Sequence, residues 1–164
     1  MSLVSIILPY YKKIKFFAAT YRSIIRQSYQ NFELIIIYDD KDLTELKTIK
    51  KIVRKNPKVK ILRNKRNLGA GLSRNYGIKK SKGKFISFID ADDIWTRNKI
   101  KDQVKFIEKN KFDFISCNYK KKFSNKIINV KPQYEIRYKD LLNSCSIGLS
   151  TVMLRKKIIK HKLF

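Results

Sequence analysis

The sequence predicts a single α/β domain built on a Rossmann-like, mostly parallel sheet flanked by helices. Three observations predict it. Short, wholly apolar runs rich in β-branched residues recur along the chain, and stretches with apolar residues at helical spacing alternate with them. The 164 residues, 43% hydrophobic and 12% aromatic, are enough to bury one core. Strand and helix in strict alternation imply right-handed crossovers, hence parallel strands with helices packed on both faces.

Val4 to Leu8 is the first run, stopped by Pro9, and reads as a strand buried on both faces. Ile14, Phe17, Ala18, Tyr21, Ile24 and Ile25 then recur at helical spacing and present one apolar stripe to a sheet. Phe32 to Tyr38 is a second buried strand that ends in Asp39 and Asp40. Leu43, Leu46, Ile49, Ile52 and Val53 mark a helix that should finish before Pro57. Val59 to Leu62 is a third strand. The turn Asn67-Leu68-Gly69-Ala70-Gly71 feeds a helix reaching Lys80, and Gly83 separates it from the strand Phe85 to Ile89. A further helix fits Arg97 to Lys109, with Ile100, Val104 and Ile107 inward, and Phe112 to Cys117 fits a strand. Beyond Tyr119 the pattern blurs: an edge strand at Lys126 to Val130, a short helix at Tyr138 to Asn143 and a last strand at Ser150 to Leu154 are expected.

Composition limits the partners. No stretch approaches the roughly 20 apolar residues of a membrane span, and the Leu3 to Leu8 run lacks the basic leader of a signal peptide, so a cytoplasmic location is expected. Cys117 and Cys145 have neither metal-ligand nor redox spacing and read as reduced thiols, while His161 reads as a surface residue. A net charge of +26 attracts nucleic acid, anionic lipid and phosphorylated substrates alike. Lysines are spread over most of the chain, with local runs at Lys120 to Lys122 and Arg155 to Lys157, as a Lys-rich composition with no selected partner would also give. Peripheral contact with an anionic membrane at its inner face is the specific alternative. Nucleic acid is disfavoured, since no recognisable nucleic-acid motif is present.

In an open α/β sheet a ligand sits beyond the carboxyl ends of the strands. There the sequence is unusual: of nine aspartates, six fall in the windows 39 to 42 and 90 to 93, each directly after a buried strand. Such clusters are costly unless a cation or hydrogen-bond donors neutralise them. Nearby lysines could do so, and the first window could simply cap helices. In the second, Asp90 and Asp92 can converge if the small Ala91 sits in a bend rather than in an extended pleat. A few hard oxygen donors suit Mg²⁺ or Mn²⁺ completed by water and phosphate, and such an ion would stabilise charge on a departing diphosphate.

At this point the chain resembles the inverting family 2 glycosyltransferases of GT-A fold. The resemblance runs through essentially the whole chain and rests on four motifs in order: VSIILPYY at 4 to 11, QSYQNFELIIIYDD at 27 to 40, NLGAGLSRNYGI at 67 to 78 and KGKFISFIDADDIW at 82 to 95. It implies one GT-A domain over 1–164, with a nucleotide-sugar-binding half at 1–95 and the start of an acceptor-side half at 96–164. The implied function is hexosyl transfer from a nucleotide-diphosphate sugar, commonly a UDP-sugar, with inversion. The acceptor would be a glycan or lipid-linked molecule in cell-surface polysaccharide synthesis.

The resemblance also implies roles. Tyr11, with Pro9 beside it, falls where the family packs against the nucleotide base. Asp39 matches the acid that accepts a hydrogen bond from the base, and Arg74, followed by Asn75, occupies the position that closes the nucleotide pocket and balances phosphate charge. Asp90 and Asp92 match the Asp-X-Asp motif, with Asp92 the direct metal ligand and Asp90, with Ala91, toward the nucleotide or a water on the metal. Asp93 is left to cap the next helix or support the loop.

Two departures stand out. Where the family often has two acids and then Gly-Ser, this chain reads Tyr38-Asp39-Asp40-Lys41-Asp42, with Tyr38 in an acid's place. The acid that should deprotonate the acceptor hydroxyl has no counterpart either: Glu108, Asp113, Glu135 and Asp140 stand in no matching motif, and no catalytic base is assigned. The expectation is therefore the donor half of a longer enzyme or, alternatively, an inactive nucleotide-binding or regulatory module.

Overall fold

The computed structural model describes residues 1–124, 126–137, 139–140, 147–160 and 164. Cys145, His161 and most of the helix expected at Tyr138 to Asn143 lie outside them. The apolar run after Leu3 forms β1 (Val4–Tyr10), every residue of it buried, because it has a strand on each side and helices above and below. It is followed by α1 (Ile14–Ile25), β2 (Phe32–Tyr38), α2 (Thr44–Val53), β3 (Val59–Arg63), α3 (Gly69–Lys80), β4 (Phe85–Phe88) and α4 (Lys99–Lys109). The last elements are β5 (Phe114–Ile115), β6 (Tyr119–Phe123), β7 (Lys126–Val130) and β8 (Met153–Arg155).

The main sheet has six strands in the order β3-β2-β1-β4-β8-β5. β1 pairs in parallel with β2, Val4 opposite Phe32 through Tyr10 opposite Tyr38, and with β4, Val4 opposite Phe85 through Ile7 opposite Phe88. β8 runs antiparallel to both β4 and β5, so β5 points the same way as β4. The expected mostly parallel sheet with helices on both faces is the observed one.

The strand order explains which helix goes where. α1 and α2 carry the chain outward from β1 to β3, and α3 must cross back to place β4 on the other side of β1. With a fixed crossover hand this puts α3 on the opposite face. Phe17 and Ile24 of α1, Ile49 of α2, and Ile100 and Ile107 of α4 pack on one face, while Ile78 of α3 joins Ile7, Ile86 and Phe88 on the other. α3 approaches closely because Gly77 has no side chain: a Cβ there would lie 2.6 Å from Ile7 Cγ2. The order in which strands are added reverses between β1 and β4, and in open α/β sheets ligands bind beyond the carboxyl ends of strands at such a point.

Several boundaries differ from expectation for identifiable reasons. β1 does not stop at Pro9. The Tyr10 carbonyl accepts the Asp39 N–H on the β2 side, so Pro9 faces β4, beyond that strand's last paired residue, where its missing N–H breaks no ladder. α4 starts at Lys99 rather than Arg97, whose carbonyl instead accepts from Ser28 N. Of Phe112 to Cys117 only Phe114–Ile115 pair, and of Ser150 to Leu154 the first part is a 3-10 turn, Leu149–Thr151, ahead of β8. β7 exists as expected but is no edge of the main sheet. It pairs with β6, an unforeseen strand, in a separate two-stranded hairpin.

Candidate active site

Four segments meet at the carboxyl edge of the parallel strands. At the end of β1 the two tyrosines part company. Tyr10 turns inward, stacks on Tyr38 with ring centroids 5.5 Å apart and donates to Glu45 Oε2 at 2.7 Å. Burial, then the Glu45 hydrogen bond, push its phenol far above the usual range. Tyr11 turns outward and is 44% exposed, with the Lys12 ammonium 5.3 Å from its ring centroid, while Pro9 stays buried within β1.

Lys12 and Lys13 follow and link the two acidic windows. Lys12 is held above the ordinary lysine range first by the Tyr11 hydroxyl, then by Asp40 and Asp42. Lys13 is held there by Asp92, its Nζ 2.8 Å from Asp92 Oδ2, and further by Asp90. Neither lysine was singled out from sequence, although both sit just past a strand, where a ligand site was sought.

The first window is largely structural. Asp39, 2% exposed, accepts at Oδ1 from Asn64 Nδ2 and Leu68 N and at Oδ2 from Gly69 N, each at 2.8 Å. It therefore satisfies backbone donors at the start of α3, where Gly69 takes a φ of +83°. Asn64 passes the network on to Ser73 Oγ at 2.9 Å. Among the described residues Oδ2 has this one partner, and a carboxylate oxygen can accept two. Asp42 braces α2 instead, accepting from Thr44 N and Oγ1, and is pulled below the usual carboxylate range by those bonds.

The second window is a turn. Asp93 N donates to Asp90 O at 3.1 Å, which gives the bend at Ala91 that convergence of Asp90 and Asp92 requires. Ala91 is buried, and its carbonyl accepts from Thr20 Oγ1 at 2.9 Å. Arg74 reaches across from α3, its Nη2 2.6 Å from Asp90 Oδ1. Its side chain is 12% exposed and lies over the Phe164 ring, so it is no solvated helix residue. Its Nε is buried with no hydrogen-bond partner among the described residues. Asn75, next to Arg74, turns away to exchange hydrogen bonds with the backbone of Phe164.

Asp93 does not cap α4, whose N-cap is Asn98. It supports the loop: Ser150 Oγ donates to Asp93 Oδ2 and accepts from Asp90 N at 3.1 Å, while the Ser150 carbonyl takes Trp95 Nε1 at 2.8 Å. Burial raises the Asp93 carboxyl above its ordinary value, the Ser150 bond opposes this, and the charges of Asp90 and Asp92 add to it. Nothing local in the sequence marks Ser150 as part of the site, since it comes 60 residues after Asp90.

Among the described residues no group of three or more His, Cys, Asp or Glu is placed to hold a metal by itself. Asp90 and Asp92 nevertheless fit an ion that takes most of its coordination from phosphate and water. Each has one oxygen in an ion pair and one without a hydrogen bond among the described residues. The later acids lie elsewhere. Glu108 pairs with Lys84, just before β4, and Asp113 directly precedes β5, so both mark the opposite edge of the sheet. Asp140 accepts from Arg137 N, and Glu135 is exposed.

The chain is similar to several known proteins. UDP-Glc:alpha-D-GlcNAc-diphosphoundecaprenol beta-1,3-glucosyltransferase WfgD of Escherichia coli is 37% identical over 160 residues, 96% of this chain and 62% of the relative. The chain thus spans less than two thirds of that relative's length. The structure of S. aureus TarS 1-349 in complex with UDP superposes with a TM-score of 0.77 at 26% identity, over 98% of this chain and 48% of that one. The mannosyltransferase PcManGT from Pyrobaculum calidifontis, in complex with GDP-Man and Mn2+, gives a TM-score of 0.72 over 96% of this chain and 45% of its own, and at 14% identity speaks for the fold alone. The family model described as Glycosyl transferase family 2 matches residues 5–164, and the chain belongs to that family.

Proposed function

We propose that this chain is the donor-binding part of an inverting glycosyltransferase that takes a sugar from a UDP-sugar. The observation that carries the reading is the carboxyl edge of β1 and β4, where Tyr11 is exposed, Asp39 Oδ2 has a single partner among the described residues and Asp90 and Asp92 stand on one turn flanked by Arg74 and Lys13. Tyr11 packs against the base, with Pro9 fixing its place, and Asp39 accepts from the base. Asp90 and the tightly turned Ala91 face the ribose and diphosphate. Asp92, seconded by Asp90, would hold Mn²⁺ or Mg²⁺, which supplies Lewis-acid stabilisation of the leaving diphosphate. Arg74 and Lys13 contribute fixed positive charge toward the same group.

The acceptor in this reading is a lipid-linked glycan of cell-surface polysaccharide synthesis, met at the inner face of the membrane. The diphosphoundecaprenol in WfgD's name supports that class. Among the described residues no helix is long and apolar enough to cross a membrane.

Calorimetry with UDP, with and without Mn²⁺, tests the donor site. Metal-dependent binding that Asp92→Ala abolishes while the circular dichroism is unchanged is the expected result. No metal-dependent binding, or binding that Asp92→Ala leaves unaffected, overturns it. The placement of Glu108 and Asp113 at the far edge favours one second reading, a nucleotide-binding module without transfer. That reading predicts UDP-sugar binding with neither hydrolysis nor transfer to a lipid-linked acceptor even when any native sequence following Phe164 is present.

A further inference from the structure

The β6–β7 hairpin stands apart from the main sheet and belongs to no part of the donor site. Its composition is unlike that of any other element. Between Phe114 and Tyr134 the chain has Lys120, Lys121, Lys122, Lys126 and Lys131 and no acid. Its apolar side chains are unusually open: Phe123 is 55% exposed, Ile127 61% and Ile128 40%. Pairing places Lys122 opposite Ile127, with Lys120 on that same face, and places Lys121 opposite Ile128 and Phe123 opposite Lys126 on the other. Both faces therefore mix ammonium groups with apolar side chains. Water rewards only the first, and a protein core would accept only the second. The surface that satisfies both is the interface of an anionic bilayer, where lysines meet phosphate headgroups and aromatic or aliphatic tips enter the acyl boundary.

Topology places the hairpin where such a contact would be useful. β5 points the same way as β4, so the chain leaving β5 toward β6 emerges at the carboxyl edge, the edge that carries Asp90 to Asp93. The base of the hairpin is tied to that turn. The Tyr119 ring covers Gly148, where an added Cβ would lie 3.3 Å from it, and two residues later Ser150 bonds Asp90 N and Asp93.

We propose that the β6–β7 hairpin is the contact of this protein with an anionic lipid surface, docking tip-first so that Phe123 and Ile127 on its two faces enter the interface and Lys120 and Lys122 bind headgroups. The inference rests on the lipid-linked acceptor only for the purpose of the contact, because docking itself needs neither donor nor acceptor.

Vesicle co-sedimentation tests it, using phosphatidylcholine alone and an equal mixture of phosphatidylcholine and phosphatidylglycerol. A lysine beside an anionic surface contributes roughly fivefold to partitioning. Lys120→Glu/Lys122→Glu should lower binding to the mixed vesicles by at least about tenfold. Phe123→Ser/Ile127→Ser should lower it several-fold while salt sensitivity persists. Lys47→Glu/Lys51→Glu on the exposed side of α2 makes the same change in net charge and should leave binding within about twofold. Equal losses in the α2 and hairpin variants would overturn the proposal, since the attraction would then be diffuse. Tighter hairpin-dependent binding to a short RNA duplex that displaces the vesicles would overturn it as well. UDP binding measured on the same variants separates the two claims: loss of UDP binding in the unaltered protein bears on the donor site, and loss of vesicle binding in the hairpin variants on this one.

Discussion

Arg74 Nη2 donates to Asp90 Oδ1 at 2.6 Å, and this bond ties α3 to the turn that follows β4. The pair sets both the charge and the position of the proposed diphosphate site. Replacing Arg74 by Ala leaves Asp90 without its cation and opens space beside it. A charge-assisted hydrogen bond of this partly buried kind is worth about 1.5 to 3 kcal/mol, discounted here for the exposure of Asp90, so a loss of about 1 kcal/mol in urea unfolding is expected. The loss of UDP affinity should be larger, about tenfold or more, because phosphate charge goes unbalanced as well. Calorimetry and denaturation on one preparation would check that ordering.

Lys13 occupies Asp92 Oδ2 at 2.8 Å, where a divalent ion would compete for the same oxygen. Lys13→Ala should therefore tighten Mn²⁺ binding several-fold in the absence of nucleotide and weaken UDP binding in the absence of metal. Manganese titration followed by electron paramagnetic resonance reads the first effect and calorimetry the second. Unchanged values in both would show that the ion pair is incidental.

Asp39 has two jobs, and a substitution should disturb both. Asp39→Ala strands the Leu68 N–H and the Asn64 amide hydrogen that donate to it, while Gly69 N keeps Asn67 Oδ1 at 3.1 Å. Each buried donor left unpaired costs about 1 to 3 kcal/mol, so a total of about 2 to 5 kcal/mol is expected after partial relaxation. Asp39→Asn keeps most acceptors and should lose less stability, yet still weaken UDP binding. A melting-temperature series beside UDP titrations would separate the roles.

Lys99 gives a prediction about pH. Its ammonium is buried, donates to Ser87 Oγ at 2.9 Å and lies 3.8 Å from the Trp95 ring centroid. Burial lowers its pKa to about 7, with the nearby Cys117 opposing the change. The unfolded chain therefore binds a proton that the folded chain has shed between about pH 7 and the ordinary lysine value. The contribution of Lys99 to stability therefore rises with pH across that window, at up to about 1.4 kcal/mol per pH unit. Lys99→Met should flatten this slope between pH 7 and pH 9 in urea unfolding. A slope identical to that of the parent would sink the assignment.

The sheet was legible in the sequence because burial on both faces leaves a strand no polar alternation, as in Ile6 to Leu8 and Leu34 to Ile37. Helix stripes such as Leu46, Ile49 and Val53 were legible for the matching reason, one apolar face per helix. What failed were features set by neighbours distant in sequence. Pro9 is tolerated in β1 only because β4 ends where its N–H would point, and no local pattern of residues carries that fact. β6 was missed because Tyr119 to Phe123 is mostly lysine. Its partner is β7, and neither strand is buried as the main sheet is. At the site, Asp39, Arg74 and the Asp90 to Asp93 turn were found from their places after strands and in motifs. The rule of looking just past each strand would have found Lys13 and Asn64 too. Ser150 obeys no such rule, since only the tertiary fold brings it to Asp90.

One consequence of the strand order concerns synthesis of the chain. β4 is finished by Phe88, yet its outer side stays uncovered until Met153–Arg155 arrive as β8. A growing chain must therefore carry Phe85-Ile86-Ser87-Phe88 as an open, aromatic-rich edge while more than a third of the sequence is still to be made. Such edges recruit other strands. A release or proteolytic cut before Met153 should thus yield aggregates rather than a smaller soluble domain, even though every proposed nucleotide contact has by then been translated.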